Sequence, residues 1–380
     1  RDSYRCLNGT WQYAILPEFS KFTDYQGAIL VPFSPETQLS GVEKTVTPND
    51  VLYYKKEFCV ENSFFKDVTL LHFTAVDYYC EVCLNDVALG SHKGGFLPFT
   101  FDVSEVLHEG KNVLTLKVID PTDTSYIARG KQVSKPGNIW YPGQSGIWGT
   151  VWLESMTKGY VKDLHIVPDI DLQKVDITVT SDSPTVSVEV LENGRVIESA
   201  KGKTGTPLSI PMKGAKLWSP EEPNLYDLRI TAVNSNGLIA DTVTSYFGMR
   251  KFSVGKDKDG ISRLWLNNKP YFHNGVLDQG YYPDGLLTPP TDKAMADDIK
   301  LLKDMGFTMV RKHIKIEPLR WYYYCDKMGI LVWQDMVNNG DYNFLRDTAL
   351  PTVGIQKLND KKMHADAATR KRFLESMEAT

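Results

Sequence analysis

A surplus of positive charge is the first thing this sequence lacks. Its 43 lysines and arginines stand against 47 aspartates and glutamates, a formal net charge of −4, and the basic residues do not cluster. A nucleic-acid binder carries a basic face, so nucleic acid is not an expected partner. Long apolar runs are also missing. None approaches the roughly 18 residues of a membrane helix, which excludes a helical span, and no membrane partner is expected. Cysteine is scarce: Cys6, Cys59, Cys80, Cys83 and Cys325 are odd in number and irregular in spacing. That argues against a disulfide framework and for a reducing compartment. A cytoplasmic location is the expectation, a secreted or periplasmic one the alternative. No charged-then-apolar leader opens the chain at Arg1, as in a processed secretory protein or a piece of a longer one. No Gly-x-Gly-x-x-Gly follows a strand-like segment, so a dinucleotide is not expected. Cys80-x-x-Cys83 has no second Cys or His pair beside it and lies in a strand-like run, where positions three apart face opposite sides. Neither metal nor any other cofactor is expected. Asn8-Gly9-Thr10 matches a glycosylation acceptor, a triplet common by chance.

What is present describes a globular chain. Its 380 residues, 42% hydrophobic and 24% charged, rule out disorder. They suffice for two to four domains at roughly 100–200 residues each. Aromatic residues at 11% suit β-sandwiches and proteins that stack on sugars.

Three periodicities divide the chain. Residues 1–157 show short alternating runs: Leu114, Leu116 and Val118 share a face, and Tyr78–Leu84 and Val87–Leu89 flank the hairpin signal Asn85-Asp86. Many strands without helices predict a jelly-roll-like β-sandwich. Residues 158–252 stay β. Val175, Ile177 and Val179 alternate with polar residues, and Val186, Val188 and Val190 lead into Asn193-Gly194. Six or seven strands here fit an immunoglobulin-like β-sandwich without its disulfide.

Residues 253–380 change period. Tyr271–Leu277, Phe307–His313 and Ile330–Asp335 read as strands. Between them, Thr291 caps a helix with Met295, Ile299 and Leu302 on one face, ending near Gly306. Pro318 suits the first position of a second helix carrying Trp321, Cys325 and Met328, and Gly329 ends it. Strand–helix alternation implies a parallel sheet buried on both faces. Three such strands cannot close a barrel, and an open sheet this small would leave apolar faces wet, so this segment reads as the front part of something larger, a partial barrel. His364–Thr380 predicts a further helix.

In such folds ligands meet the carboxyl ends of the strands. Asp278 follows the first strand, Arg311 and His313 share a face at the end of the second, and Trp333 and Asp335 share one at the end of the third. Their convergence marks a candidate site. In the loop Asn138–Trp148, Trp140 and its aromatic and amide neighbours suit sugar C–H faces and hydroxyls; packing against the next domain is the alternative.

In order along the chain, several motifs resemble the family 2 glycoside hydrolases, the β-galactosidase and β-glucuronidase type. Leu7-Asn8-Gly9-x-Trp11 is similar to their opening, and Gly90-x-His92-x-Gly94-Gly95-Phe96-x-Pro98-Phe99 to their jelly-roll signature. Ser145-Gly146-Ile147-Trp148, Leu217-Trp218-Ser219-Pro220, Phe247-Gly248-Met249-Arg250-Lys251, Val310-Arg311, Cys325-Asp326 and Gly329-Ile330-Leu331-Val332 follow. The resemblance implies a sugar-binding jelly roll, an immunoglobulin-like domain and an incomplete (β/α)8 TIM barrel, about three of eight strands, with a carbohydrate substrate and retaining hydrolysis of a terminal β-linked sugar. It also implies one Glu after barrel strand four as acid and base, and a second after strand seven as nucleophile. Neither position lies within the chain, so these residues alone are expected to be inactive. Arg311 and Asp335 fall on pocket positions of the family. His313-Ile314-Lys315-Ile316 replaces its common Ser-His-Tyr-Pro, and Leu277-Asp278-Gln279 its Asn-Arg-His. Two other readings stand beside this one. Asp278 and Asp335, two strand spacings or roughly 9–10 Å apart, could form an inverting pair, whose range is roughly 6.5–9.5 Å. A non-catalytic carbohydrate-binding or adhesion module would use the two sandwiches alone. Homo-oligomerisation is compatible with all of them.

Overall fold

The structure is a computed structural model that describes residues 1, 3–125, 127–338, 345–355 and 367–380. The first module is a sandwich of a four-stranded and a six-stranded sheet. The smaller sheet orders Tyr4–Cys6, Val151–Met156, Val68–Phe73 and Phe99–Asp102. The larger is built around Asp50–Val60 and Gly110–Ile119, paired antiparallel over nine positions. Alternation drives this layering: Leu114, Leu116 and Val118 point inward with Leu71, Phe73, Leu153 and Trp11, all nearly inaccessible. The Asn85-Asp86 turn has φ of 50° and 64°, the mirror-image turn that matches strand twist. Cys80 is buried and Cys83 half-buried, both free thiols. The Asn8 amide is engaged, accepting from Val151 N (3.0 Å) and donating to Thr150 Oγ1 (3.4 Å).

The second module has the seven strands of a small sandwich. Val161–Asp169, Lys174–Ser181 and Leu208–Pro211 face Arg195–Lys203, Thr185–Glu192, Tyr226–Val233 and Ile239–Phe247. Val175, Ile177, Val186, Val188, Val190, Leu228 and Ile230 fill its core.

The third segment opens with an antiparallel sheet of Phe252–Lys256, Ser262–Leu266 and Lys269–Pro270 that sequence patterning does not reveal. Then come β1 (Gly275–Asp278), α1 (Asp292–Asp304), β2 (Met309–Lys312), α2 (Leu319–Met328) and β3 (Leu331–Gln334). The three strands are parallel and in order. Thr291 caps α1 by accepting from Ala294 N (3.0 Å), and Gly329 closes α2 in the left-handed conformation. Four expectations need correction. The first strand starts at Gly275, not Tyr271, because Asn274 O accepts from both Thr308 N and Met309 N and starts the ladder there. The second and third strands are shorter at both ends than expected. Pro318 is the N-cap of α2, one position before the first turn. The parallel sheet is buried on one face only. Val310 packs with Met295, Ile299, Trp321 and Cys325, whereas Leu277 and Trp333 on the other face are 48% and 45% exposed. A last helix spans Ala367–Ala379; His364, where it was expected to start, lies outside the described residues.

Buried polar contacts lock α2 to the second module. Trp218, fully buried, donates its indole N–H to Asp326 O (2.7 Å). Arg250 pairs with the Asp326 carboxylate and lies 4.5 Å over the Trp218 ring, and Tyr246 donates to the same carboxylate (3.1 Å). Trp218→Ala should lower stability by about 3–5 kcal/mol through cavity formation, read as a lower urea midpoint. Arg250→Ala, removing a partly exposed group, should cost about 1 kcal/mol.

Candidate functional site

Strand parity sorts the candidate residues onto the two sides of the parallel sheet. Leu277, Arg311 and Trp333 are register partners across the three strands, and they form a row on the face opposite α1 and α2. Asp335 continues that row past β3. Its carboxylate receives a two-pronged contact from Arg311, Nε at 3.0 Å and Nη2 at 2.9 Å. His313 Nδ1 lies 3.0 Å from the second oxygen. Burial pushes the Asp335 pKa up, but the Arg311 and His313 contacts outweigh it and hold the carboxyl below its ordinary value. Asp335 is therefore an anion at neutral pH, an acceptor and not a proton donor. Trp333 donates its indole N–H to His273 Nδ1 (2.9 Å), which leaves the ring's outer surface to solvent.

Asp278 stands apart from this group. It shares its row with Lys312 on the helix side and accepts from Lys312 Nζ at 2.6 Å. Lys312 also contacts Glu317 Oε1 (2.8 Å) and lies 4.2 Å over the Trp321 ring. Lys315, 1% exposed, reaches the same Glu317 oxygen at 2.8 Å. Two buried ammonium groups and two carboxylates thus neutralise each other. Asp278 and Asp335, on opposite sides and each held by cations, are not arranged as a paired acid and base.

The jelly-roll loop reaches the same end of the sheet. Tyr141 stacks on Tyr281 from the loop after β1, centroids 3.9 Å apart and 14° between planes. Leu287 N donates to Gln144 Oε1 (2.8 Å), and Thr288 Oγ1 to Trp148 O (2.7 Å). Trp148 in turn donates to Gly95 O (2.7 Å) and packs with Phe96, Leu287 and Val337. Trp140 is half-buried with the Arg129 guanidinium 5.8 Å over its ring. Of the residues expected at the strand ends, the structure brings Arg311, His313 and Asp335 into contact, with Trp333 in the same row, and sets Asp278 on the helix side with Lys312. The sequence reading misses Lys315, Tyr281 and three enclosed acids. Asp77 and Asp120 are 3% and 2% exposed, and the Glu36 carboxylate accepts from Ser145 N (3.2 Å) and Val46 N (3.3 Å). The missed signal is an ionisable residue at an inward strand position, as at Asp77 beside Val76 and at Lys312 two after Val310.

Among the described residues no three His, Cys, Asp or Glu side chains are arranged to hold a metal ion, and no helix is long and apolar enough to cross a membrane. The open row offers charged donors and acceptors beside an indole face.

Comparison with known proteins follows this layout. Residues 4–157 match the sugar binding domain of glycosyl hydrolases family 2, and residues 159–250 match a second domain of glycosyl hydrolases family 2. The chain is 29% identical over 379 residues to a β-galactosidase of Leuconostoc mesenteroides, covering 86% of this chain and 34% of that protein. It is 24% identical over 306 residues to a β-galactosidase of Thermoanaerobacter pseudethanolicus, covering 75% and 39%. The chain thus spans about a third of the length of the curated relatives it matches. Among solved structures, a β-D-glucuronidase of Dictyoglomus thermophilum superposes with a TM-score of 0.76 at 20% identity, covering 99% of this chain and 70% of that one. A β-glucuronidase of Bifidobacterium dentium gives 0.73 at 20% identity, with 88% and 61% coverage.

The enclosed acids generate a prediction. Burial, and then the charge of Asp120, push the Asp77 carboxyl well up; burial likewise raises Asp120 and takes Glu36 to about 8. Each binds its proton more tightly folded than unfolded, so its stabilisation is complete below the ordinary carboxylate range. It is lost as pH rises through the folded value. Asp77→Asn keeps the acceptor for Gln132 Nε2 (3.2 Å) without the titration. The fall in urea midpoint between pH 5 and pH 8.5 should be smaller in this variant than in the parent chain.

Proposed function

Because the chain belongs to family 2 of the glycosyl hydrolases, we propose that it is the N-terminal part of a retaining exo-β-glycosidase acting on terminal β-linked sugars. The observation that carries this is the uncovered row of Arg311, Asp335 and Trp333 at the carboxyl end of a three-stranded parallel sheet. An interior face of that kind is what the first three strands of a (β/α)8 barrel present before the other five enclose it. Curated relatives about three times as long are in keeping with a barrel completed by further chain.

In this reading Arg311, His313, Trp333 and Asp335 hold the sugar, and Trp140 lies at the rim. Asp335, kept ionised by Arg311, accepts hydrogen bonds from sugar hydroxyls. Double displacement needs two carboxyl groups roughly 5–5.5 Å apart, one of them protonated at the start. The resemblance assigns both to glutamates after strands four and seven. The described residues supply one open-face carboxylate in this row, and it is an anion.

Two measurements test the reading. This chain should turn over no aryl β-galactoside or β-glucuronide above a mock purification; turnover would overturn the assignment of the catalytic pair to later strands. Isothermal titration with the corresponding monosaccharides should show binding that Arg311→Ala or Asp335→Asn weakens about ten- to a hundredfold, the range for charged hydrogen bonds. Binding lost on Trp140→Ala and untouched by Arg311→Ala would instead favour a binding module built on the sandwiches.

A further inference from the structure

We propose that Lys315 is the positioning residue of the sugar site, a built-in cation that ties the loop after β1 to the loop after β2 and holds Tyr281 against Tyr141. The inference rests on reading the open row as a sugar site, and it deepens that reading. The Lys315 Nζ meets three acceptors: Gly280 O at 2.7 Å, Leu287 O at 2.7 Å and Glu317 Oε1 at 2.8 Å. An uncharged amine has two hydrogens and would leave one acceptor facing its lone pair. Three acceptors and three ammonium hydrogens match, so the protonated form is the one the site is built for.

The two carbonyls bracket the turn that carries Tyr281. Gly280 O fixes its start and Leu287 O its end, while Leu287 N is held from the jelly roll by Gln144 Oε1 at 2.8 Å. Between them, Tyr282 and Leu286 bridge across the turn. Gly280 has φ of +64°, and a Cβ there would lie 2.8 Å from Lys315 Nζ and 2.5 Å from Glu317 Oε1. The backbone is bare where the ammonium approaches. Lys315 also lies 5.9 Å from the Trp148 ring. Beside it lies a crevice of about 10 Å³ among Phe96, Gly130, Gln279, Tyr281 and His313. Desolvation lowers the Lys315 pKa, opposed by the Glu317 charge.

The test uses the full chain with Lys315→Ala. Hydrogen exchange at residues 279–290 should speed up about ten- to a hundredfold, the consequence of leaving buried acceptors unmet. Exchange in Tyr226–Val233 of the second module should stay as in the parent. Ethylammonium or propylammonium should restore loop protection, and propanol, of similar shape without charge, should not. Monosaccharide affinity should fall and recover in parallel. Unchanged loop exchange, or equal rescue by propanol, would overturn the proposal. If Lys315→Ala does not fold, Lys315→Met keeps the bulk without the charge. It should show the same local loss, and native protection in that variant would overturn the proposal equally. Loop loss and ammonium rescue in a chain that binds no sugar would overturn the sugar-site reading and its positioning role, while leaving the tie between the loops.

Discussion

Three parallel strands have two faces, and two helices cover one of them. This constraint organises the rest of the third segment. Val310, Met295, Ile299, Trp321 and Cys325 form a small core on the helix side. On the other side the alternation of a strand must still put something in every second position. Here it puts Leu277, Arg311 and Trp333. An all-polar row would mark a solvated sheet and an all-apolar row a packed core. A fork of guanidinium on carboxylate beside an indole is neither. It combines a fixed anion, a cation and an indole face on one exposed row.

The motifs that identify the family hold the domains together. Trp218 and Asp326 meet across the boundary between the second module and α2, with Arg250 stacked on the indole and paired with the carboxylate. Gly95 and Trp148 meet within the jelly roll, and Thr288 bonds to the Trp148 carbonyl from the loop after β1. These contacts are directional and buried, so a wrong docking angle would strand polar groups without partners. Apolar patches alone would tolerate a shift of an ångström; hydrogen bonds between buried groups do not.

How much of this can be read from the sequence depends on whether local pattern and tertiary burial agree. They agree for α1, where the Thr291 cap and the Met295, Ile299 face are both present, and for the Val175–Val179 and Val186–Val190 strands, whose alternation matches burial residue by residue. They disagree at Phe252–Leu266, where Val254 is 72% exposed and Ile261 50% exposed, so the pattern of a buried strand is absent although the strands exist. The meeting of Arg311 and Asp335 is legible because odd-numbered positions at the ends of adjacent parallel strands share a face. Asp278 lies on the helix side because it shares its register with Lys312, a placement the sequence reading does not address. A lysine in the buried row is an arrangement that composition rules count against.

Buried charge explains why the loops, and not only the strands, define the site. A lysine without partners in an apolar interior would cost several kcal/mol. Lys312 and Lys315 are tolerated because Asp278, Glu317 and two carbonyls meet them. That compensation exists in one geometry. Rotating the loop after β1 by a single residue would separate Gly280 O and Leu287 O from the ammonium and leave charge and carbonyls unmet together. The stabilisation gained over an apolar core is small or nil, because desolvation offsets most of the attraction. What the arrangement supplies is steepness: the native loop position is separated from its neighbours by the full penalty of an uncompensated ion. Where the family commonly has Ser-His-Tyr-Pro, this chain has His313-Ile314-Lys315-Ile316. Within that one tetrapeptide His313 faces Asp335 on the open side and Lys315 anchors the loop beneath. The Asp335 contact and the loop position are therefore set by residues two apart on one short segment, and the open row cannot shift without breaking the ionic tie.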